Sequence, residues 1–310
     1  MNTQEVDDNK QSDESLAWQP DIDLGNHWFA KLHLHLTHRS QGTSLSHIER
    51  VGPLSVQKAF YPEGPDCAHL YLLHPPAGIV SGDELDIQIH MGEQSQALIT
   101  TPGANRFYRA RTDSSIGKSQ QIQRVSCYLH AKSVLEHLPQ ETIIYNGADA
   151  LNQVDIHIDS SAVYLGWDVI CLGLPAANDP FKHGQLTQLN RVFCDNHLLF
   201  HDRIHLSSKS PLLDHSIGLA GSPVFGTFIL SAPTIISPEK AETLITQIRE
   251  LLAHRDLQHA FSITQINGLI LARYLGSRSD LCKQIFTQMW QICRPYYCVR
   301  AATSPRIWFT

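Results

Sequence analysis

From Trp28 to about Phe228 the apolar side chains recur mostly at every second residue, as in Leu32, Leu34 and Leu36 and again in Val154, Ile156 and Ile158. Period two is the mark of half-buried strands, because successive side chains of an extended chain point to opposite faces. Turn chemistry interrupts the alternation at Gly52-Pro53, Tyr61-Pro62-Glu63-Gly64-Pro65, Pro75-Pro76-Ala77-Gly78, Ser81-Gly82-Asp83, Thr101-Pro102-Gly103, Asn146-Gly147 and Ser222-Pro223. Many short strands with little helix between them predict a mainly β body.

Only the last third carries helix signals. The first helix opens with Ser237 as N-cap, Pro238 at the first helical position and Glu239 beside it, and buries Ala241, Leu244, Ile245, Ile248, Leu251 and Leu252. A second starts after Ser279-Asp280, buries Leu281, Ile285, Phe286, Met289, Ile292 and Cys293, and stops before Pro295. Both are expected to pack on one side of the strands. Residues 1–23 are rich in Asp, Glu, Asn, Gln and Ser and too poor in apolar groups to offset the entropy of ordering them, so a disordered acidic tail is expected, followed by a single domain over 24–310.

Several function classes drop out. Lys and Arg total 24 against 30 Asp and Glu, a formal charge of -6, so no basic field exists to attract nucleic acid. No apolar run reaches membrane-spanning length, since even Val163 to Leu174 is interrupted by Gly166 and Asp168. The polar, acidic start has no secretory-signal pattern, and seven scattered cysteines do not form a disulfide framework; both suit a cytoplasmic protein. No G-x-S-x-G elbow appears, and no cysteine stands in a sequence context that ties it to a catalytic His.

Eighteen histidines invite a metal reading, and His33, His35 and nearby His38 lie close together on one strand. With no H-E-x-x-H pattern and no C-x-x-C pair, an ordinary polar strand face is the expectation. The segment His74 to Asp83 carries glycines but lacks the Gly-Lys-Ser/Thr ending of a phosphate loop. Paired prolines on its entry and two glycines able to take positive φ would hold Asp83 on a stiff turn, either as a binding determinant or as a cap of that turn; Glu63 is open to the same two readings. In Arg106-Phe107-Tyr108-Arg109, alternation would give each strand face one cation and one aromatic, a sheet surface or a partner contact. Asp168 follows Trp167 inside an apolar strand, where a carboxylate is costly unless paired or beside water; Arg203, next to Asp202, is a candidate counter-charge.

Together these motifs resemble the UreD family of urease accessory proteins. The matching stretches are Val51 to Lys58, Phe60 to Glu63, Tyr71 to Pro76, Gly78 to Val80, Gly82-Asp83, Thr100 to Ala104, Phe107 to Arg109, Leu135-Glu136, Leu138 to Glu141, Trp167-Asp168 and Pro305 to Trp308, in order from about Trp28 to the end. Departures from the family pattern are Leu174 in place of an Arg, His137 in place of a Trp, and Ala77 and Ser81 in place of glycines.

The resemblance implies stacked strands in a β-helix-like body with two C-terminal helices, and no enzymatic activity. It implies a scaffold that binds the urease structural subunits together with UreF and UreG, with nickel supplied by UreE passing through to the urease active site. A passage of this kind needs oxygen ligands that release Ni²⁺, so Glu63, Asp83, Asp168 and Asp202 are its candidates, with no tightly bound cofactor. Two competing readings are a stand-alone nickel-delivery protein, which requires tight stoichiometric binding, and a β-helical hydrolase using two carboxylates, which requires a substrate cleft and turnover.

Overall fold

The computed structural model describes residues 28–309; the acidic tail expected over 1–23 lies outside the described residues. In chain order the strands are β1 (Trp28–Arg39), β2 (Gly42–Val51), β3 (Ser55–Val56), β4 (Cys67–Leu73), β5 (Asp83–Met91), β6 (Gln96–Thr100), β7 (Asn105–Phe107), β8 (Gln121–Leu129) and β9 (Val134–His137). They continue with β10 (Thr142–Ile144), β11 (Asp149–Ile158), β12 (Val163–Leu174), β13 (Asp179–Pro180), β14 (Gln185–Cys194), β15 (His197–Ser207), β16 (Val224–Ser231), β17 (Phe261–Ile266) and β18 (Leu269–Gly276). Two helices, α1 (Pro238–His254) and α2 (Ser279–Cys293), fall in the last third.

The strands form a seven-stranded sheet in the order β15-β14-β11-β8-β5-β1-β2 and an eleven-stranded sheet running β17-β18-β16-β12-β9-β6-β4-β3, with β7, β10 and β13 beside it. At the centre of the first sheet β1, β5, β8, β11 and β14 are parallel, and in the second β4, β6, β9 and β12 are parallel. Parallel neighbours cannot be joined by a tight hairpin and need a crossover. Here the crossover is a strand of the opposite sheet, so the chain passes β5, β6, β8, β9, β11, β12 and β14 with alternate long strands in alternate sheets. Antiparallel hairpins, β1 with β2 and β14 with β15, close the rims of the first sheet. The mainly β body and the two helices match the expectation; the pairing defines two mixed sheets and does not by itself define a β-helix.

Two cores follow from the alternation. Inward residues of both sheets, among them Leu32, Leu34, Ile87, Val154, Ile156, Ile170 and Ile229, pack into one. The far face of the second sheet, with Leu165, Trp167, Val169 and Phe228, packs on Leu244, Ile248, Phe286 and Trp290 of the helices. Strand β12 is buried on both faces, which is why Val163 to Leu174 is nearly continuously apolar.

Helix α1 begins as the sequence predicts, the Ser237 hydroxyl accepting from the Lys240 amide at 3.4 Å. Ala241, Leu244, Ile245, Ile248 and Leu252 are buried, while Leu251 is only half-buried. Helix α2 ends at Cys293 and a short 3-10 turn takes up Pro295. It lies so close to β16 that a Cβ on Gly226 would sit 2.7 Å from Cys282 Sγ and 2.9 Å from the Phe286 ring.

The outer face of the first sheet carries an in-register row of stacked rings. His35 lies 4.4 Å from His90, His90 4.7 Å from Tyr128, Tyr128 5.0 Å from His157, and His157 4.7 Å from Phe193. His33 binds Asp86 at 2.7 Å. These contacts fit the polar strand face expected for His33 and His35.

Candidate functional site

The turn before β5 shows what holds Asp83. Its Oδ2 accepts the Val80 amide at 2.9 Å, and its own amide donates to the Val80 carbonyl at 3.0 Å, so Asp83 caps its turn. Positive φ falls on Ala77 (63°) and Gly82 (84°) rather than on Gly78. Gly78 has a different reason to lack a side chain, since a Cβ there would lie 2.3 Å from the Tyr108 ring. The strand expected over Arg106 to Arg109 is shorter than the alternation suggested, because β7 ends at Phe107 and Tyr108 turns against Tyr145 at 5.0 Å.

Between the sheets lies a cavity of about 270 Å³, bounded by Leu72, Ile87, Gln123, Val125, His137, Thr142, Val154, Asp168 and the Thr101 to Arg106 turn. Its floor is polar. Asn105 Nδ2 donates to Gln123 Oε1 at 3.1 Å, Gln123 Nε2 to Asn152 Oδ1 at 3.1 Å, Asn152 Nδ2 to Gln188 Oε1 at 2.8 Å, and Gln188 Nε2 to Asp168 Oδ2 at 3.2 Å. Asn190, its amide turned nitrogen-inward, also donates to Asp168 Oδ2 at 2.9 Å. Gln123, Asn152 and Gln188 are register neighbours on β8, β11 and β14, while Asn105 and Asp168 belong to the opposite sheet. The row therefore crosses from one sheet to the other and back.

Asp168 ends this row. Burial pushes its pKa up to about 7, the Asn190 bond pulls the other way, and the negative charge of Asp202 adds to the rise. The carboxyl thus stands near the midpoint of its titration at neutral pH. Asp202, opposite Asn190 on β15, is held by Arg273 Nη1 at 2.6 Å, and the same nitrogen donates to Thr227 Oγ1 at 2.8 Å. Arg203 does not serve as the counter-charge of Asp168. With Asp202 facing inward, its chain neighbour faces out, and among the described residues no hydrogen bond or ion pair joins Arg203 to Asp168. His137, at the departure from the family Trp, is buried on the cavity wall, and burial lowers its pKa to about 4.

Glu63 belongs to a different place, between β4, β9 and the end of α2. Its Oε1 accepts from His69 Nε2 at 2.7 Å and its Oε2 pairs with Arg294 Nη2 at 2.6 Å. Arg294 also reaches Glu136 at 3.1 Å, and Glu136 accepts from Trp290 Nε1 at 2.7 Å and Tyr297 Oη at 2.6 Å. Burial raises the Glu63 carboxyl, but the His69 and Arg294 bonds outweigh it and hold it below the usual glutamate range. Cys67, two residues before His69 on the same strand face, lies with Glu63 and His69 so that one ligand atom of each is within 4.8 Å of the others.

Of the four candidate carboxylates, Asp168 lines the cavity, Asp202 lies near enough for its charge to act on Asp168 while pairing with Arg273, and Glu63 and Asp83 lie elsewhere with structural bonds of their own. The amides Gln123, Asn152, Gln188 and Asn190 were not singled out from the sequence. The signal was present, since each falls in phase with apolar inward residues such as Val125, Val154, Leu186 and Val192. Among the described residues no helix is long and apolar enough to cross a membrane.

The UreD urease accessory protein family model matches residues 29–309. A urease accessory protein UreD from Psychromonas ingrahamii is 52% identical over 292 residues, covering 92% of this chain and 95% of that protein. Urease accessory protein UreD 2 of Brucella anthropi is 35% identical over 283 residues, with 91% and 98% covered, and UreD of Dechloromonas aromatica is 37% identical over 283 residues, with 91% and 95% covered. With a match along nearly its whole length and a relative identical at half its positions, the chain belongs to the UreD family of urease accessory proteins, which are not enzymes.

Proposed function

We propose that this chain is a scaffold that binds the urease structural subunits with UreF and UreG, and that Ni²⁺, handed on from UreE, crosses it through the polar space beside Asp168. The observation that supports the reading is the amide row ending on a carboxyl that titrates near neutrality. Neutral amide oxygens and one carboxylate are hard, weak donors; they replace part of an ion's hydration without trapping it. A carboxyl near half-ionised at neutral pH exchanges a proton for the cation at small cost, so a cation leaves when a proton returns. Asp202, already paired with Arg273, supplies further negative potential. Glu63 and Asp83 act in this proposal as fixed parts of the frame. Exposed apolar side chains such as Trp28, Val51, Phe60, Ile217 and Phe309 give partners surface to cover.

The test is co-expression of Asp168→Ala, Asp202→Asn and Asp83→Ala variants with the urease structural subunits, UreF and UreG, measuring complex yield and urease nickel content together. Asp168→Ala is expected to leave complex yield near normal and to lower nickel in urease. Asp83→Ala is expected to lose a cap, about 0.5 to 2 kcal/mol of stability, with nickel per complex unchanged. Normal nickel content in urease matured with Asp168→Ala overturns the passage.

A further inference from the structure

We infer that Cys67, His69 and Glu63 form a binding site for a tightly held divalent cation of the zinc class, distinct from the space beside Asp168. Cys67 and His69 point the same way from β4 because they are two residues apart, and the Tyr61 to Gly64 turn brings Glu63 over them, closed by the Gly64 amide on the Tyr61 carbonyl at 3.2 Å. All three side chains are buried: His69 is 0% exposed, Cys67 2%, and the Glu63 side chain 2%. A thiolate, an imidazole and a carboxylate are the donor set that selects zinc and its borderline neighbours over magnesium or calcium.

The surroundings hold the carboxylate ligand in place. Arg294 holds Glu63 by Oε2 and leaves Oε1 on the side of His69, and Glu136 offsets the guanidinium charge. Among the described residues His69 Nδ1 has no hydrogen-bond partner, which is costly for a buried polar atom that serves packing alone.

Loading is a simple exchange. Cys67 releases its thiol proton to solvent and a metal–sulfur bond takes its place; His69 shifts its proton from Nε2 to Nδ1 so that Nε2 can donate its lone pair. The hydrogen bond between His69 and Glu63 opens as both turn to the ion, and the metal stays divalent. One thiol proton leaves per ion bound, so binding tightens as pH rises. The ion would tie the Tyr61 to Gly64 turn to β4, and Glu63 in turn pairs with Arg294 after α2.

The test uses the full chain, stripped with chelator and titrated with Co²⁺ as a coloured substitute for Zn²⁺. One equivalent is expected to raise a thiolate-to-cobalt charge-transfer band, removed by Zn²⁺, absent in Cys67→Ser, and needing roughly tenfold or more cobalt in His69→Gln. Asp168→Ala should keep the band, which separates this site from the nickel passage. X-ray absorption of the zinc-loaded natural chain, which needs no variant, should show one sulfur at about 2.3 Å. A zinc shell without sulfur, or a band that survives in Cys67→Ser, overturns the site.

Discussion

Replacing Asp168 by Asn should make the protein more stable at alkaline pH and not at acid pH. The folded carboxyl titrates at about 7 against an ordinary 3.8, so the fold prefers its protonated form. Stability is therefore complete below about pH 4 and is lost as the pH rises from there through about 7. A difference of about 3 units, at 1.36 kcal/mol each, sets a ceiling of about 4 kcal/mol at pH 8. Relaxation of the surroundings around the anion keeps the value below that ceiling. Asn is nearly isosteric, and its Oδ1 can accept from Gln188 and Asn190 as the carboxylate does, so the amide row survives. The assay is urea unfolding of natural chain and variant at about pH 4.5 and about pH 8. With a slope of about 3 kcal/mol per molar urea for a chain this size, the variant's midpoint should be higher by up to about 1 M at the alkaline pH and nearly equal at the acid one. Equal midpoints at both, or a variant weaker at pH 8, would refute the argument that a buried, ionising carboxyl strains the fold.

Two further outcomes follow from packing. All seven cysteines are free thiols, five of them buried, so the native protein should react quickly only at Cys194 and Cys298, and the denatured, unreduced protein at all seven; thiols missing in pairs would show a disulfide. Gly226→Ala should cost about 1 to 3 kcal/mol by pushing α2 off β16, and a second change of Cys282 to Ala should recover part of it, which a double-mutant cycle measures.

The strands and both helices were legible because each is written locally, as alternation, caps and turn residues within a few positions. Asp83 was legible as a turn residue for the same reason. Its choice between cap and ligand was not, because the Val80 amide it accepts is a matter of backbone direction. Asp168 could be marked as costly from its apolar neighbours, whereas its partners Gln188 and Asn190 come from another strand of the opposite sheet. Glu63 was out of reach altogether, since its partner Arg294 lies near the other end of the chain and meets it only when α2 docks. That pairing also changes what Ala at Glu63 would do. It would leave Arg294 buried beside Glu136 alone, and removing one partner of a buried pair costs about 3 to 5 kcal/mol, more than a lost turn cap.

The row from Asn105 to Asp168 has a direction. Each amide gives its NH₂ forward, and each one after Asn105 takes the preceding NH₂ on its carbonyl, so the dipoles add along the row and aim positive ends at the carboxylate. Turning over one member alone would set two NH₂ groups face to face on one side and two carbonyls on the other. The four amides therefore keep one sense or reverse together, and what chooses the sense is the charge on Asp168: as an anion it can only accept, and as an acid it can also donate. An ionised Asp168 therefore fixes the sense of every amide back to the turn at Asn105.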